Sequence, residues 1–482
     1  MSVTLLEQVS WVVAWDEARR AHVYLRDVDV AFSQEAGFAY LGARFEGEAR
    51  TRLSGRGRLL LPGFVDIHCH PTSEPLRRGI TDEITSPGFH HSSLYEFLPV
   101  LEGDDEARAA CIQVALAELL KSGVTTLVDL SVPYDGWLDA LAESGIRACV
   151  APMYRDARWL TRDGHSLEYA WDTRRGREAF EGAARLVERA RQHPCGRLSG
   201  MLCPAQVDTC SAELIQGSHA LARERGLELH IHVAQSVAEF HEMHRRHGMT
   251  PVQWLDSLGV LDERAILGHA IFLDHHPWLH WTSRRDLDLI RERGATVAHC
   301  PTVFVRRGIT LRTFGEYLRA GINVGIGTDT YPHDFLRELL VASYAARAVA
   351  ETVTDHTAAE LFTAATVGGA RALRRDDIGR VAPGAKADFV LVDLDHPAMR
   401  PVYDPLRTLI YSADDRAIRD VWIDGRRVVA DGVVTTIDLE AATAALEEAQ
   451  ARVLEQVPRR DRAGRPIERL APRCLELRER LA

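Results

Sequence analysis

Between about residues 61 and 370 the chain alternates short apolar runs with amphipathic stretches, and this alternation restricts the fold more than any other feature. GFVDIHCH, VTTLVDL, IRACVAP, SGMLCPA, LELHIHVA, RAILGHA, ATVAHCP and NVGIGTD read as strands covered on both faces. Helical patterns fall between them near 104–121, 136–144, 177–192, 211–225, 283–293 and 312–320. About eight such strand–helix units are what an α/β fold of the TIM-like (β/α)8 barrel type requires, with reactive groups at the C-terminal ends of the strands.

The flanking text differs. Residues 1–60 read as short β segments that make a small sheet, and a helical stretch spans 335–374. Strand signals return in ADFVLVDLD and VWIDGRRVVADGVV, the second a hairpin turning at Asp424-Gly425. From about 438 the chain is charged, helical and broken by proline, which reads as a solvated surface or a subunit contact. The expected division is therefore 1–60, 61–375 as the catalytic barrel, and 376–482.

A net charge of -11 argues against binding a phosphate backbone, so the expected partner is a small molecule and not a nucleic acid. No run approaches the roughly 20 apolar residues of a membrane span, and the first residues contain no basic leader with an apolar core. A cytoplasmic protein without membrane contact is expected. The eight cysteines are scattered without a CxxC spacing, which suggests reduced thiols and neither a disulfide framework nor a thiolate zinc site.

In GFVDIHCH, His68 and His70 are two apart on a strand, so both point to one side while Cys69 faces away. His232, His269 and Asp329 occupy equivalent strand ends. Imidazole nitrogen with carboxylate oxygen suits one divalent ion, Zn²⁺ first, with iron or manganese accepting the same ligands.

In this order, LPGFVDIHCH, GVTTLVD, HIHVAQS, ILGHA, GATVAHCP, AGINVGIGTDT, IGRVAPGAKADFVLVD and VWIDGRRVV resemble the amidohydrolase superfamily, in the branch of cytosine deaminase, triazine chlorohydrolases and imidazolonepropionase. The resemblance implies a hydrolase with one metal held by His68, His70, His232 and Asp329, and with His269 beside the metal-bound water. It also implies a small β-sandwich built from both chain ends and a homodimer or larger homo-oligomer. His299 matches no ligand of that pattern, and His230 reads as a support deeper in its strand.

Deaminases of this branch usually read His-x-x-Glu at HIHVAQS; here the fourth residue is Gln235, which hydrogen-bonds but cannot act as a general acid. The expected reaction is therefore attack of metal-activated hydroxide on a ring carbon of a nitrogen heterocycle, opening a cyclic amide or imidazolone, or displacing a thiol or halide. Asp329 moves the proton, His269 steadies the oxyanion, and Gln235 positions the substrate. Two alternatives stay open: an aminohydrolase with a relocated proton shuttle, and a non-catalytic assembly protein. Among loop residues, Arg306 or Arg307 suits a substrate carboxylate, while Tyr331, His333, Asp334, His90 and His91 are candidates for the pocket wall.

Overall fold

The computed structural model describes residues 2–309 and 314–478. Strands Phe64–Cys69, Val124–Asp129, Arg147–Val150 and Leu198–Gly200 pair in parallel, as do Leu229–Val233, Ala265–His269, Thr296–His299 and Val324–Ile326. Short parallel pieces, Met153–Tyr154 and Cys203–Pro204, extend the third and fourth strands. Parallel bridges from Cys69 to Asp329, Leu202 to Leu229 and Gln206 to His232 join the edges of the two sets. Both faces of these strands are buried, which is why they are apolar runs and not alternating ones. The chain is thus an α/β protein with parallel sheets.

The connecting helices follow the amphipathic stretches: Asp105–Lys121, Trp137–Ser144, Thr173–Arg191, Ala212–Arg225 and Asp286–Arg293. The sixth is described as Phe314–Arg319, and residues 312 and 313 lie outside the described residues. Two more, Val237–His247 and Pro251–Ser257, stand where the sequence reading had no element. Ser236 and Thr250 cap them, each accepting from the backbone N–H three residues on.

Strands from both chain ends form one nine-stranded sheet in which Phe389–Asp393 pairs antiparallel with Arg58–Pro62. Asp424 and Gly425, with φ of 52° and 71°, turn the expected hairpin between Ile418–Ile423 and Arg426–Ala430. Arg147, at the foot of a parallel strand, ties this sheet down: its fork donates to Asp388 at 2.7 and 3.0 Å and reaches Asp424 at 3.3 Å.

The charged C-terminal stretch corrects an expectation. Helix Leu439–Arg460 lays Ala442, Leu446, Ala449, Val453 and Val457 against Cys111, Val114 and Leu76 of its own chain. Its apolar face is internal packing, and only the opposite face is solvated. Among the described residues no helix is long and apolar enough to cross a membrane, and all eight cysteines are unpaired.

Candidate metal centre

His68 and His70 leave the end of Phe64–Cys69 on one side, their rings perpendicular with centroids 5.3 Å apart. Cys69 turns away, its Sγ 3.4 Å from His333 Nδ1. His232 stacks on His70 at 5.2 Å, and their Nε2 atoms are 3.2 Å apart. Asp329 Oδ1 stands 3.6 Å from His68 Nε2 and 3.4 Å from His70 Nε2. Donors about 2.1 Å from one tetrahedral ion lie about 3.4 Å from each other, so these separations suit ligands of a shared cation. His68 Nε2 is buried without a hydrogen-bond partner, which fits a nitrogen that ligates a metal.

The ring tautomers are set from behind. His70 Nδ1 donates to the Leu130 carbonyl at 2.7 Å and His232 Nδ1 to the Ala205 carbonyl at 2.6 Å, which leaves each Nε2 lone pair facing the cluster. His68 Nδ1 lies 3.2 Å from His230 Nε2, so His230 takes the supporting position. Burial first, and then neighbouring imidazoles, hold His68, His230 and His269 well below the usual histidine range and His232 at about 4. These rings are neutral donors near pH 7. Burial raises Asp329, but His269, His70 and His232 outweigh it and keep the carboxyl below its ordinary value.

Backbone geometry serves the same cluster. Asp329 and His269 have φ of 57° and 77°, a region non-glycine residues rarely occupy. Asp329 is held there because its N–H donates to the His68 carbonyl at 2.8 Å and its carbonyl accepts from His70 N–H at 3.2 Å. Gly268 leaves the room that the His68 ring occupies: a Cβ there would stand 2.8 Å from His68 Cε1. The His269 ring packs 4.6 Å from His68 and 4.9 Å from Phe304, and its Nδ1 is buried without a partner. His269, His68 and Cys300 are also close enough to share an ion.

Gln235 is 4% exposed and its Nε2 has no partner. Glu239, the nearest following carboxylate, accepts instead from the backbone N–H of Ala234 at 2.5 Å and of Gln235 at 3.3 Å. Its oxygens accept from the chain beside the Gln235 side chain, and burial raises its carboxyl well above the ordinary value.

The two loop arginines separate. Arg306 donates to Asp82 at 3.2 Å, Thr330 Oγ1 at 3.1 Å and the Tyr331 carbonyl at 3.2 Å, and lies 4.5 Å over the Tyr331 ring. Arg307 Nε is buried without a partner. Tyr331 is 3% exposed and bonded through its hydroxyl to Thr81 and Asp82 at 2.8 and 3.2 Å. His90 and His91 are exposed on their loop, His91 Nδ1 lying 3.2 Å from Thr85 Oγ1. His333 is buried behind Cys69, and Asp334 caps helix Phe335–Ala350, so neither stands at a pocket mouth.

Three features escaped the sequence reading. Glu74, four residues after His70, is buried and accepts from Thr330 Oγ1 at 2.5 Å while pairing with Arg77. Arg155, just past Met153–Tyr154, places its charge within reach of His232. A hairpin, Ala157–Leu160 with Glu168–Trp171, is anchored by Trp159 Nε1 and Tyr169 hydroxyl donating to Asp208 Oδ2 at 2.7 and 2.8 Å. Only Arg155 had a signal, its place at a strand end.

The Amidohydrolase family model matches residues 59–428. A 5'-deoxyadenosine deaminase of Methanothermobacter thermautotrophicus is 30% identical over 83% of this chain and 90% of its own length. A 5-methylthioadenosine/S-adenosylhomocysteine deaminase of Natronomonas pharaonis is also 30% identical, over 90% of this chain and 95% of its own. Among solved structures, an adenosine deaminase from Xanthomonas campestris with bound zinc superimposes with a TM-score of 0.80 at 27% identity, covering 93% of this chain and 98% of that one. Fold, cluster and kinship define a metal-dependent hydrolase. The chain belongs to the amidohydrolase family.

Proposed function

We propose that the chain is an aminohydrolase that releases ammonia from an amino-bearing nitrogen heterocycle of the adenine-nucleoside type. One zinc per chain would be held by His68, His70, His232 and Asp329, at the mouth of a (β/α)8 barrel flanked by a β-sandwich from both chain ends. The observation that carries this reading is the cluster of three imidazoles and a carboxylate at ligand spacing, in a chain whose relatives are named deaminases. It favours the second expectation drawn from the sequence over displacement of a non-amine group.

A divalent ion in this site would act as a Lewis acid that brings the pKa of water from 15.7 to about 7. Asp329, kept ionised, would accept one proton of the attacking water and return it to the departing amino nitrogen; the electron pair displaced onto the ring nitrogen re-forms the C=N bond as the C–N bond breaks and ammonia leaves, and the second water proton stays on the oxygen until the product tautomerises. His269 hydrogen-bonds the oxygen that becomes the ring carbonyl, a contact typically worth about 3 kcal/mol. Gln235 donates its unpartnered Nε2–H to a ring nitrogen, orienting the ring without moving a proton.

Gln235 itself favours a second reading, hydrolysis of a ring C–N bond or of a thiol or halide substituent, because that chemistry needs no ring protonation. Ammonia measured against product on zinc-loaded protein separates the two. With 5'-deoxyadenosine and 5-methylthioadenosine the aminohydrolase reading predicts one ammonia per product and a gain of about tenfold or more in rate for Gln235→Glu, which restores an acid. Turnover of heterocycles without ammonia would transfer the assignment to the second reading.

A further inference from the structure

Arg307 follows the short helix Pro301–Val305, and its N–H donates to the Phe304 carbonyl at 3.0 Å. Phe304 meets His269 edge to face, so this turn abuts the histidine cluster. The Arg307 charge acts on both Asp329 and Glu74. Yet among the described residues its guanidinium makes no ion pair, and its Nε is buried with no hydrogen bond. Arg307 as a whole is partly exposed, so its terminal nitrogens stay open to an anion that arrives from outside, while its buried Nε lacks the hydrogen bond that such an anion would supply.

The neighbouring charges are already served. Glu74 has Arg77 and Thr330, and Arg306 has Asp82, Thr330 and Tyr331. Asp329 faces the imidazoles. Arg307 is therefore not the required counter-charge of any of them. We propose that Arg307 is a specificity-determining residue that grips a carboxylate carried by the heterocyclic substrate. A planar guanidinium matches two carboxylate oxygens, and the nearby Asp329 and Glu74 carboxylates make a singly charged anion a better occupant than a phosphate dianion. This inference rests on reading the cluster as the site of a heterocycle hydrolase.

The test uses full-length, zinc-loaded protein and a set of aminopurine and aminopyrimidine carboxylates, each matched with its carboxamide, with binding read by calorimetry. At least one carboxylate should bind about tenfold more tightly than its carboxamide, and Arg307→Gln should bring that preference below about twofold. Arg307→Lys, which keeps the charge but loses the fork, should retain part of it and covers the case in which the glutamine variant does not fold. Wild-type protein that favours no carboxylate, or a folded, zinc-replete Arg307→Gln that keeps the preference, overturns the proposal. A carboxylate held through Arg307 without ammonia release would instead overturn the aminohydrolase reading and leave this one standing. Equal ammonia release from both members of every pair, unchanged by Arg307→Gln, would do the reverse.

Discussion

At the scale of single residues, Gly268 and Asp129 show how the cluster depends on what lies behind it. A methyl group at Gly268 has no room beside His68 Cε1, so Gly268→Ala is expected to tilt that ring and weaken zinc binding by about tenfold or more, read by competition with a chromogenic chelator. Unchanged affinity would mean that the ring can move at no cost. Asp129 is fully buried, and burial outweighs its hydrogen bonds from Ser131 and Trp137, pushing it up from 3.8 to about 7. In that window the folded chain holds a proton the unfolded chain has lost, so stability falls as pH rises. Asp129→Asn cannot ionise and should gain on the wild type between pH 4 and pH 7, by at most about 4 kcal/mol in urea unfolding of the metal-free protein. A pH-independent difference would contradict this. That His68, His70, His232 and Asp329 cluster was legible because strand ends and a two-residue period point them at one place. Arg307's isolation was not, since a pair of adjacent arginines carries no sign of which one finds partners.

At the scale of elements, the strands and most crossover helices follow the apolar runs closely. Helix Val237–His247 is marked in the sequence only by Ser236 and Glu239 three apart, the spacing of a capping box, because its histidines and arginines leave too few apolar positions for a clear helical stripe. The C-terminal helix was legible in part. Its charge suggested a solvated face, but Ala442, Leu446, Ala449, Val453 and Val457 form a stripe at helical spacing that buries itself against Asp105–Lys121. Leu446→Ala should therefore cost about 2–4 kcal/mol, measured by chemical unfolding. A loss below about half a kcal/mol would return that helix to the surface role first expected.

At the scale of the whole molecule, two parallel strand sets meet edge to edge, and a sheet drawn from both chain ends is tied to them through Arg147 and Asp388. The proposed ligands come from strands far apart in sequence, so the cluster forms only when these edges close. Metal binding at the proposed site would thereby be coupled to folding of the entire array. The most direct test is elemental analysis of the purified chain after dialysis against metal-free buffer, beside His68→Ala and Asp329→Ala. The account predicts close to one zinc per wild-type chain and little in either variant. A wild-type chain that retains no metal even after reconstitution, or variants that retain it in full, would contradict it.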